Sequence, residues 1–133
     1  MKGIEVKKLY LKRDDRGWLV EVLRSEELKR GNRFGQFLIT TANPGYVKGN
    51  HYHTRKYEWY CVIKGEAKLI LEDNSTGERE EISLNEKEPA LVMISPGITH
   101  AIENTGKDIL SVLIYIDESF NESDPDTFFK KIA

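Results

Sequence analysis

The sequence is poor in cysteine and histidine, and scarcely any segment of it has a helical period. Its one cysteine, Cys61, excludes an internal disulfide framework and favours the reducing cytoplasm. No apolar run approaches the roughly 20 residues of a membrane-spanning helix, and Met1–Asp15 lacks the apolar core of a secretory signal. The net charge is −2, and no basic stripe indicates nucleic-acid binding. We therefore expect a cytoplasmic protein that binds neither nucleic acid nor membrane.

Short strand-like segments fill most of the 133 residues. Groups of β-branched and aromatic residues are separated by turns such as Asn43–Gly45, Asp73–Gly77 and Ser95–Gly97. About ten strands at intervals of roughly 8–12 residues are typical of an all-β sandwich or closed barrel. The predicted strands are Val6–Leu11, Trp18–Leu23, Phe34–Thr41, Val47–His53, Trp59–Lys64, Ala67–Glu72, Glu78–Leu84, Ala90–Ile94, His100–Asn104 and Ile109–Ile116.

Helical structure is predicted in two short places at most. Ser25–Gly31 could form one helical turn or a charged loop. In the C-terminal tail (Asp117–Ala133), Asp124 and Pro125 precede Asp126–Lys131. This pattern predicts a short capped helix, because proline and acidic residues favour the first turn. The sequence has no linker, low-complexity segment or repeat, so we expect one domain over residues 1–133.

All three histidines lie in two short segments. His51 and His53 stand in the segment GNHYHTRKYEWYCVIKG, together with Glu58, and His100 stands in SPGITHAIEN. Residues two apart on a strand face the same side, so His51 and His53 can enter one cavity. A lone histidine on a strand is more often a hydrogen-bonded core or rim residue. Three imidazoles and a carboxylate, however, form a suitable ligand set for a borderline divalent metal.

The same segments resemble the two motifs of the cupin superfamily. Residues 49–65 are similar to the first motif and residues 95–104 to the second, although Ser95 stands where cupins usually have proline. The resemblance implies a double-stranded β-helix, the cupin jelly roll, with a short C-terminal helix or tail. It also implies a divalent metal held by His51, His53, Glu58 and His100. Zinc is the first candidate, with iron, manganese and nickel as alternatives.

A narrower resemblance extends along most of the chain. The chain is similar to the dTDP-4-dehydrorhamnose 3,5-epimerase group of cupins in four places: Asp15–Gly17, Glu21, KGNHYH and SPGITHAIEN. The chain is more similar to the C-terminal metal-binding cupin domain of bifunctional capsular polysaccharide UDP-sugar reductase/epimerases. That similarity lies in PGYVKGNHYHTRKYEWYCVIKGEA, HAIENTG and DESFNESDPDTF. This sequence lacks the reductase domain found there, so we expect another protein to carry out any reduction.

The resemblance implies an epimerase in cell-surface polysaccharide biosynthesis. Its substrate would be a nucleotide-linked 4-keto-6-deoxy sugar, inverted at C3 or at both C3 and C5. By analogy with cupins of this size we also expect a homodimer. The same scaffold leaves two alternatives open, because cupins host many chemistries. One is a metal-dependent dioxygenase, which would consume oxygen, and the other is a non-catalytic cupin that binds a sugar or a metal.

The ligand set separates this chain from the rhamnose-type epimerases. Those enzymes use the first histidine of the motif as a general base, have no metal, and carry glutamine and lysine at the places of His53 and Glu58. A His51 bound to metal cannot also be a free base. A metal here could polarise the 4-keto oxygen. Four protein ligands fill the tetrahedral positions of a metal, so it must expand its coordination or release a ligand before a substrate oxygen can bind. A structural zinc is therefore a competing interpretation.

Tyrosines and one lysine are the candidates for the remaining catalytic roles. Among Tyr52, Tyr57, Tyr60 and Tyr115, Tyr60 shares strand parity with Glu58 and should face the cavity as a proton donor. Tyr115 ends the last apolar strand, as a tyrosine does in the related epimerases. Core packing is the alternative for each tyrosine. Lys48 stands where those epimerases have an arginine that contacts substrate, and its alternative is a solvated lysine at a strand edge.

Overall fold

The computed structural model of the protein describes residues 1–133 and consists almost wholly of β-strands. The strands are β1 (Ile4–Lys8), β2 (Lys12–Asp14), β3 (Gly17–Leu19), β4 (Gln36–Ala42), β5 (Val47–Tyr52), β6 (Glu58–Lys64), β7 (Glu66–Asp73), β8 (Arg79–Asn85), β9 (Ala90–Ile94), β10 (Ile98–Asn104), β11 (Leu110–Ile116) and β12 (Phe128–Phe129). The one helical element is a 3₁₀ turn at Ser25–Glu27. None of the helical structure is long and apolar enough to cross a membrane.

Two five-stranded antiparallel sheets contain most of the chain. The first sheet has the order β1-β9-β6-β11-β4, and the second has the order β12-β5-β10-β7-β8. From β4 to β7 the chain alternates between the sheets, β7 and β8 form a hairpin, and from β8 to β11 it alternates back. This double alternation is the jelly-roll topology, so the predicted all-β fold is confirmed. A separate hairpin pairs β2 with β3.

Alternation along β6 divides the buried side chains between two clusters. Tyr60 and Val62 belong to the main core, which contains 14 buried residues. Trp59 and Cys61 point the other way, into a smaller cluster that Val20, Val22, Leu23 and Leu28 partly cover. Burial raises the pKa of the Cys61 thiol to about 11. This cysteine is therefore a packed, protonated core residue.

The N-terminal strands are placed differently from the prediction. Strand β1 begins and ends earlier than the predicted Val6–Leu11, and β3 stops at Leu19 instead of Leu23. The reason is that the residues after Leu19 leave the hairpin and pack over the smaller cluster. The helical turn expected within Ser25–Gly31 forms over Ser25–Glu27 alone.

The predicted helix at Asp126–Lys131 is wrong. Asp126 has a φ of 46°, in the left-handed region, and Phe128–Phe129 form an edge strand paired with β5. The Asp126 carboxylate accepts hydrogen bonds from the backbone N–H groups of Thr54 and Arg55 instead of capping a helix. Contacts with distant residues thus override the local helix signals.

Asn104 provides a test of the fold, because it is 1% exposed and fixes the chain on both sides of the β10–β11 turn. Its amide donates to the carbonyls of Ala42 and Asp108, both at 2.8 Å, and its side-chain oxygen accepts from the Gly106 N–H. We expect Asn104→Ala to lower the free energy of unfolding by about 2–4 kcal/mol, because it leaves buried backbone groups unpaired. Urea denaturation measures this change.

The exposed Asn32 provides the control for that measurement. Asn32→Ala should change the free energy of unfolding by less than about 0.5 kcal/mol. Equal stability of the two variants would contradict the structural role assigned to Asn104.

Candidate metal centre

The four predicted ligands converge between the two sheets. His51 on β5 lies opposite His100 on β10 in the second sheet, and Glu58 opens β6 in the first sheet. His53 follows the end of β5. One candidate ligand atom from each residue lies within 4.8 Å of those of the other three. The structure therefore brings His51, His53, Glu58 and His100 together.

A β-bulge places His51 beside His100. The pairing of His100 with His51 and of Ala101 with Gly49 leaves Asn50 as the extra residue. Asn50 and Gly49 both have a positive φ, of 57° and 96°. A Cβ atom on Gly49 would lie 2.8 Å from the carbonyl oxygen of His100, so only glycine fits there. Such bulges redirect side chains near functional sites.

The polar atoms inside the cluster lack ordinary partners. Nε2 of His100 lies 2.7 Å from Oε2 of Glu58, and Nε2 of His53 lies 3.3 Å from Oε1. Despite this proximity, both Nε2 atoms and Oε2 are buried and not aligned for a hydrogen bond. Buried polar atoms without partners are rare in proteins. Their convergence fits a bound divalent cation, whose ligand bonds would satisfy all three.

Backbone carbonyls orient two of the imidazoles. Nδ1 of His53 lies 2.6 Å from the carbonyl oxygen of Asp126, and Nδ1 of His100 lies 3.0 Å from that of Ile98. A carbonyl only accepts hydrogen bonds, so each Nδ1 carries the hydrogen and each Nε2 has a free lone pair when the ring is neutral. This arrangement is typical of histidines that bind metals through Nε2.

Burial and mutual charge set the protonation states. Burial, together with the neighbouring His100, lowers the pKa of His51 to about 4, so its imidazole is neutral near pH 7. Burial opposes the ionisation of Glu58, but the charges of His100 and His53 outweigh it and lower the Glu58 pKa below its usual range. Burial would lower the pKa of His53, yet the Glu58 carboxylate raises it overall. The ionised carboxylate thus attracts a proton or a metal cation to this cluster.

A cavity of about 460 Å³ adjoins the cluster. Its wall combines candidate ligands, two lysines, a tyrosine and a set of apolar side chains. The lining residues are Gln36, Leu38, Thr40, Lys48, Gly49, His51, His53, Lys56, Glu58, Tyr60, Ile102, Ile114, Ile116, Phe120 and Thr127. A cavity of this size and mixed lining can bury a small organic molecule against the candidate metal ligands.

Tyr60 and Lys48 both line this cavity. The sequence predicted that Tyr60 would face it. The Tyr60 ring packs edge-on against His100, with 5.7 Å between the ring centroids. Burial, followed by the charge of Glu58, raises the pKa of Tyr60 well above its usual range, so the hydroxyl keeps its proton. The Lys48 ammonium donates to the Thr40 hydroxyl at 2.8 Å and to the Thr41 carbonyl at 3.0 Å.

Tyr115 is not part of the cavity, which corrects its predicted catalytic role. Ile114 and Ile116 line the cavity, so strand alternation directs Tyr115 to the other face of the sheet. There it packs in the smaller cluster with Trp59, and its hydroxyl accepts a hydrogen bond from the Gly35 N–H at 2.8 Å. Its role in the structure is packing.

Tyr52 and Tyr57 also lie outside the cavity wall. Tyr52 stacks on Phe128 with 5.4 Å between the ring centroids, and Tyr57 lies beside Trp59. Of the four tyrosines considered as proton donors, Tyr60 alone lines the cavity.

Lys56 is a cavity residue that the sequence did not reveal. It is 2% exposed, and its ammonium donates to the carbonyl of Pro125 at 3.0 Å and lies 5.8 Å from the centre of the Phe120 ring. Both partners belong to the C-terminal tail. Nothing in the local sequence distinguishes Lys56 from a solvated lysine in a turn, because its burial depends on residues that are about 65–70 positions away.

The chain belongs to the polysaccharide biosynthesis C-terminal domain family, whose pattern matches residues 12–128. A relative that is 38% identical over 115 residues is the UDP-2-acetamido-2,6-beta-L-arabino-hexul-4-ose reductase of Pseudomonas aeruginosa. The match covers 86% of this chain and 29% of that protein, so the chain spans less than a third of this relative. The resemblance to the C-terminal domain of sugar-nucleotide reductases is thereby confirmed.

In two further comparisons, the matched region covers most of this chain and most of the protein compared with it. The spore coat polysaccharide biosynthesis protein SpsL of Bacillus subtilis is 32% identical over 129 residues, which are 93% of this chain and 85% of that protein. The crystal structure of a dTDP sugar isomerase from Desulfovibrio desulfuricans superposes with a TM-score of 0.86 at 18% identity. That superposition covers 98% of this chain and 85% of the other, and it shows a shared fold.

Replacement of Glu58 tests the candidate metal centre by mutation. We expect the purified wild-type protein to contain one divalent metal per chain, measured by inductively coupled plasma mass spectrometry. Glu58→Gln should weaken binding by more than about 100-fold, since loss of an outer-shell partner alone costs roughly 10–100-fold. The neutral amide keeps the shape of the side chain but removes the charge that attracts the cation.

The matched control is Glu81→Gln on strand β8, where the side chain is 60% exposed. This variant should keep the wild-type metal content. Undiminished metal in Glu58→Gln, or equal loss in both variants, would contradict the assignment of Glu58 as a ligand.

Proposed function

We propose that this protein is a metal-dependent epimerase of a nucleotide-linked 4-keto-6-deoxy sugar, acting at C3 in cell-surface polysaccharide biosynthesis. The observation that carries the proposal is the cluster of three histidines and Glu58 beside a cavity that Tyr60 also lines. Membership of a polysaccharide biosynthesis family supports the pathway. The Pseudomonas relative is named for a hexul-4-ose, a sugar with a ketone at C4, which supports the substrate class. A cytoplasmic homodimer, as expected from the sequence, completes the proposal.

A ketone at C4 makes the neighbouring C–H bonds the reactive ones. Inversion at C3 requires removal of the C3 proton, stabilisation of the negative charge that develops on the ketone oxygen, and return of a proton to the opposite face. His51, His53, Glu58 and His100 would hold the divalent metal, with zinc as the first candidate. When bound, the metal supplies Lewis-acid stabilisation of that oxygen.

Tyr60 is the proposed proton donor. Its raised pKa means that it is protonated at neutral pH, which is the state that an acid needs before it acts. It lines the cavity next to the ligand His100, so a sugar seated in the cavity would lie within its reach. A tyrosine hydroxyl has a proton to return at neutral pH, whereas an ordinary carboxyl group is ionised there.

Lys48 is the proposed contact to oxygen atoms of the substrate. It extends from β5 along the cavity wall, and its ammonium is already fixed by Thr40 and Thr41. A fixed ammonium binds phosphate or sugar oxygens without a large loss of side-chain entropy. Its role would be binding and orientation, while Tyr60 takes part in proton transfer.

Solvent exchange tests the proposed reaction directly. The metal-loaded protein is incubated in D₂O with UDP- and dTDP-linked 4-keto-6-deoxy sugars, and the ring protons are followed by NMR. We expect catalysed loss of the C3 proton, and none in His100→Ala, which lacks a metal ligand. Exchange at C5 as well would extend the activity to both carbons. No exchange with any of these sugars, in a protein that retains its metal, would contradict the epimerase proposal.

Replacement of Tyr60 should separate proton return from binding. We expect Tyr60→Phe to lower kcat of epimerisation by about 10²–10⁴-fold, the range of general acid–base catalysis, with little change in metal content. Tyr46→Phe is the control, because Tyr46 is 66% exposed and does not line the cavity. A Tyr60→Phe variant with wild-type kcat would exclude this tyrosine as the acid.

Replacement of Lys48 should act mainly on binding. We expect Lys48→Met to raise KM for the nucleotide sugar by about 10-fold, the equivalent of roughly 1.4 kcal/mol, with a smaller effect on kcat. Lys107→Met provides the control, since Lys107 is exposed and lies outside this cavity. A loss confined to kcat would instead place Lys48 in the chemical step.

A further inference from the structure

The C-terminal tail crosses the candidate metal centre. Phe128 and Phe129 extend the second sheet by pairing with Tyr52 and His51 of β5. The next residue, Lys130, donates its N–H to the carbonyl of Asn50 at 2.7 Å. The tail therefore joins the strand that carries the first metal ligand.

The bulge residue Asn50 holds the end of the tail. Its side-chain oxygen accepts from the N–H groups of Ile132 at 2.8 Å and Ala133 at 3.0 Å. Its amide nitrogen donates to the Ala133 carbonyl at 3.1 Å. The residue that directs His51 toward the cluster is thus also an anchor for the tail.

Asp126 contacts the surroundings of His53 through two different groups. Its carboxylate accepts from the Thr54 N–H at 3.0 Å, from the Thr54 hydroxyl, and from the Arg55 N–H at 2.9 Å. Its backbone carbonyl accepts from Nδ1 of His53 at 2.6 Å. Asp126 is 3% exposed, so these hydrogen bonds are shielded from water.

The backbone of Asp126 is suited to this double contact. Its φ of 46° is unusual for a residue other than glycine, although aspartate tolerates this region better than most. The left-handed conformation lets the carboxylate and the carbonyl of one residue point into the same site. Backbone conformations of this kind persist where the surrounding contacts require them.

We propose that Asp126 is a positioning residue of the metal centre. Its carboxylate fixes the backbone that follows His53, and its carbonyl fixes the orientation and tautomer of the His53 ring. Nε2 of His53 is thereby presented to the cluster as an unprotonated donor when the ring is neutral. The proposal rests on the metal binding included in the proposed function, and it adds a contribution from a residue more than 70 positions away along the chain.

Three substitutions of Asp126 separate the contribution of its carboxylate from that of its backbone conformation. Asp126→Gly keeps the left-handed backbone and the carbonyl but removes the carboxylate. Asp126→Asn keeps one oxygen acceptor for Thr54 and tolerates the same backbone conformation. It should therefore retain more of the wild-type zinc affinity than Asp126→Gly does. Asp126→Ala removes the carboxylate and also strains the backbone. The control, Asp124→Gly, removes an exposed carboxylate of the same tail that pairs with Arg55.

Metal affinity is measured in the full chain by competition with a chromophoric zinc chelator. We expect Asp126→Gly to weaken zinc binding by about 10–100-fold, the range for loss of an outer-shell partner, and Asp126→Asn to weaken it by less. Asp124→Gly should match the wild type. Zinc affinity within about twofold of the wild type in both Asp126→Gly and Asp126→Ala would overturn the proposal.

The His53 ring provides a second readout that needs neither metal nor activity. Long-range ¹H–¹⁵N NMR on the metal-free protein, at a pH where the ring is neutral, reports which nitrogen carries the hydrogen. We expect the Nδ1–H tautomer in the wild type. We expect a mixture of tautomers in Asp126→Gly, because loss of the carboxylate anchor at Thr54 and Arg55 releases the backbone carbonyl at position 126 from the His53 ring. Urea denaturation confirms that both proteins are folded. An unchanged tautomer would overturn the positioning role. A wild-type protein that binds no zinc would instead overturn the proposed metal site.

Discussion

The site depends on one electrostatic constraint, which is the burial of the Glu58 carboxylate between two sheets. The residue is 3% exposed, and a buried carboxylate is strongly destabilising unless positive charge or hydrogen bonds surround it. Its nearest partners are the ring nitrogens of His100 and His53, at 2.7 and 3.3 Å, but neither contact is aligned as a hydrogen bond. A cation in their midst would compensate the charge and satisfy the nitrogens together. The arrangement that is unfavourable for an isolated carboxylate brings together four side chains that could hold a metal ion.

The jelly-roll fold brings the three histidines to the buried Glu58. Residues from the neighbouring strands β5 and β6 meet a residue from the distant strand β10, because consecutive strands alternate between the sheets. The bulge at Gly49 and Asn50 then sets His51 against His100, and the tail holds His53 from the other side. The cluster opens on a cavity, so a metal bound there would be in contact with a small molecule bound in the cavity. This position favours a catalytic over a purely structural metal.

Local patterns in the sequence predicted the parts of the site that depend on strand alternation and motif spacing. The shared face of His51 and His53, the grouping with Glu58 and His100, and the inward direction of Tyr60 all follow from such patterns. Tyr115 did not, because its direction depends on the register of β11 against β6, where it pairs with Trp59 and not with Tyr60. Register between strands about 55 residues apart is not encoded locally.

The conformation of the C-terminal tail is likewise not determined by its local sequence. Its acidic and proline residues have helix-start propensities, yet Asp126 forms hydrogen bonds with Thr54 and Arg55, and these long-range bonds determine its conformation. Lys56 is buried for the same reason, since Pro125 and Phe120 of the tail cover it. Residues whose environment comes from a distant segment are thus the ones that sequence patterns leave undetermined.

X-ray absorption spectroscopy of the purified protein at the edge of its bound metal tests the central claim most directly. The account predicts a first shell of nitrogen and oxygen at about 2.0–2.2 Å, with outer-shell scattering from three imidazole rings and no sulfur. It also predicts that addition of a nucleotide-linked 4-keto sugar changes this shell. A protein without bound metal, or a metal held by fewer than two imidazoles or by sulfur, would contradict it.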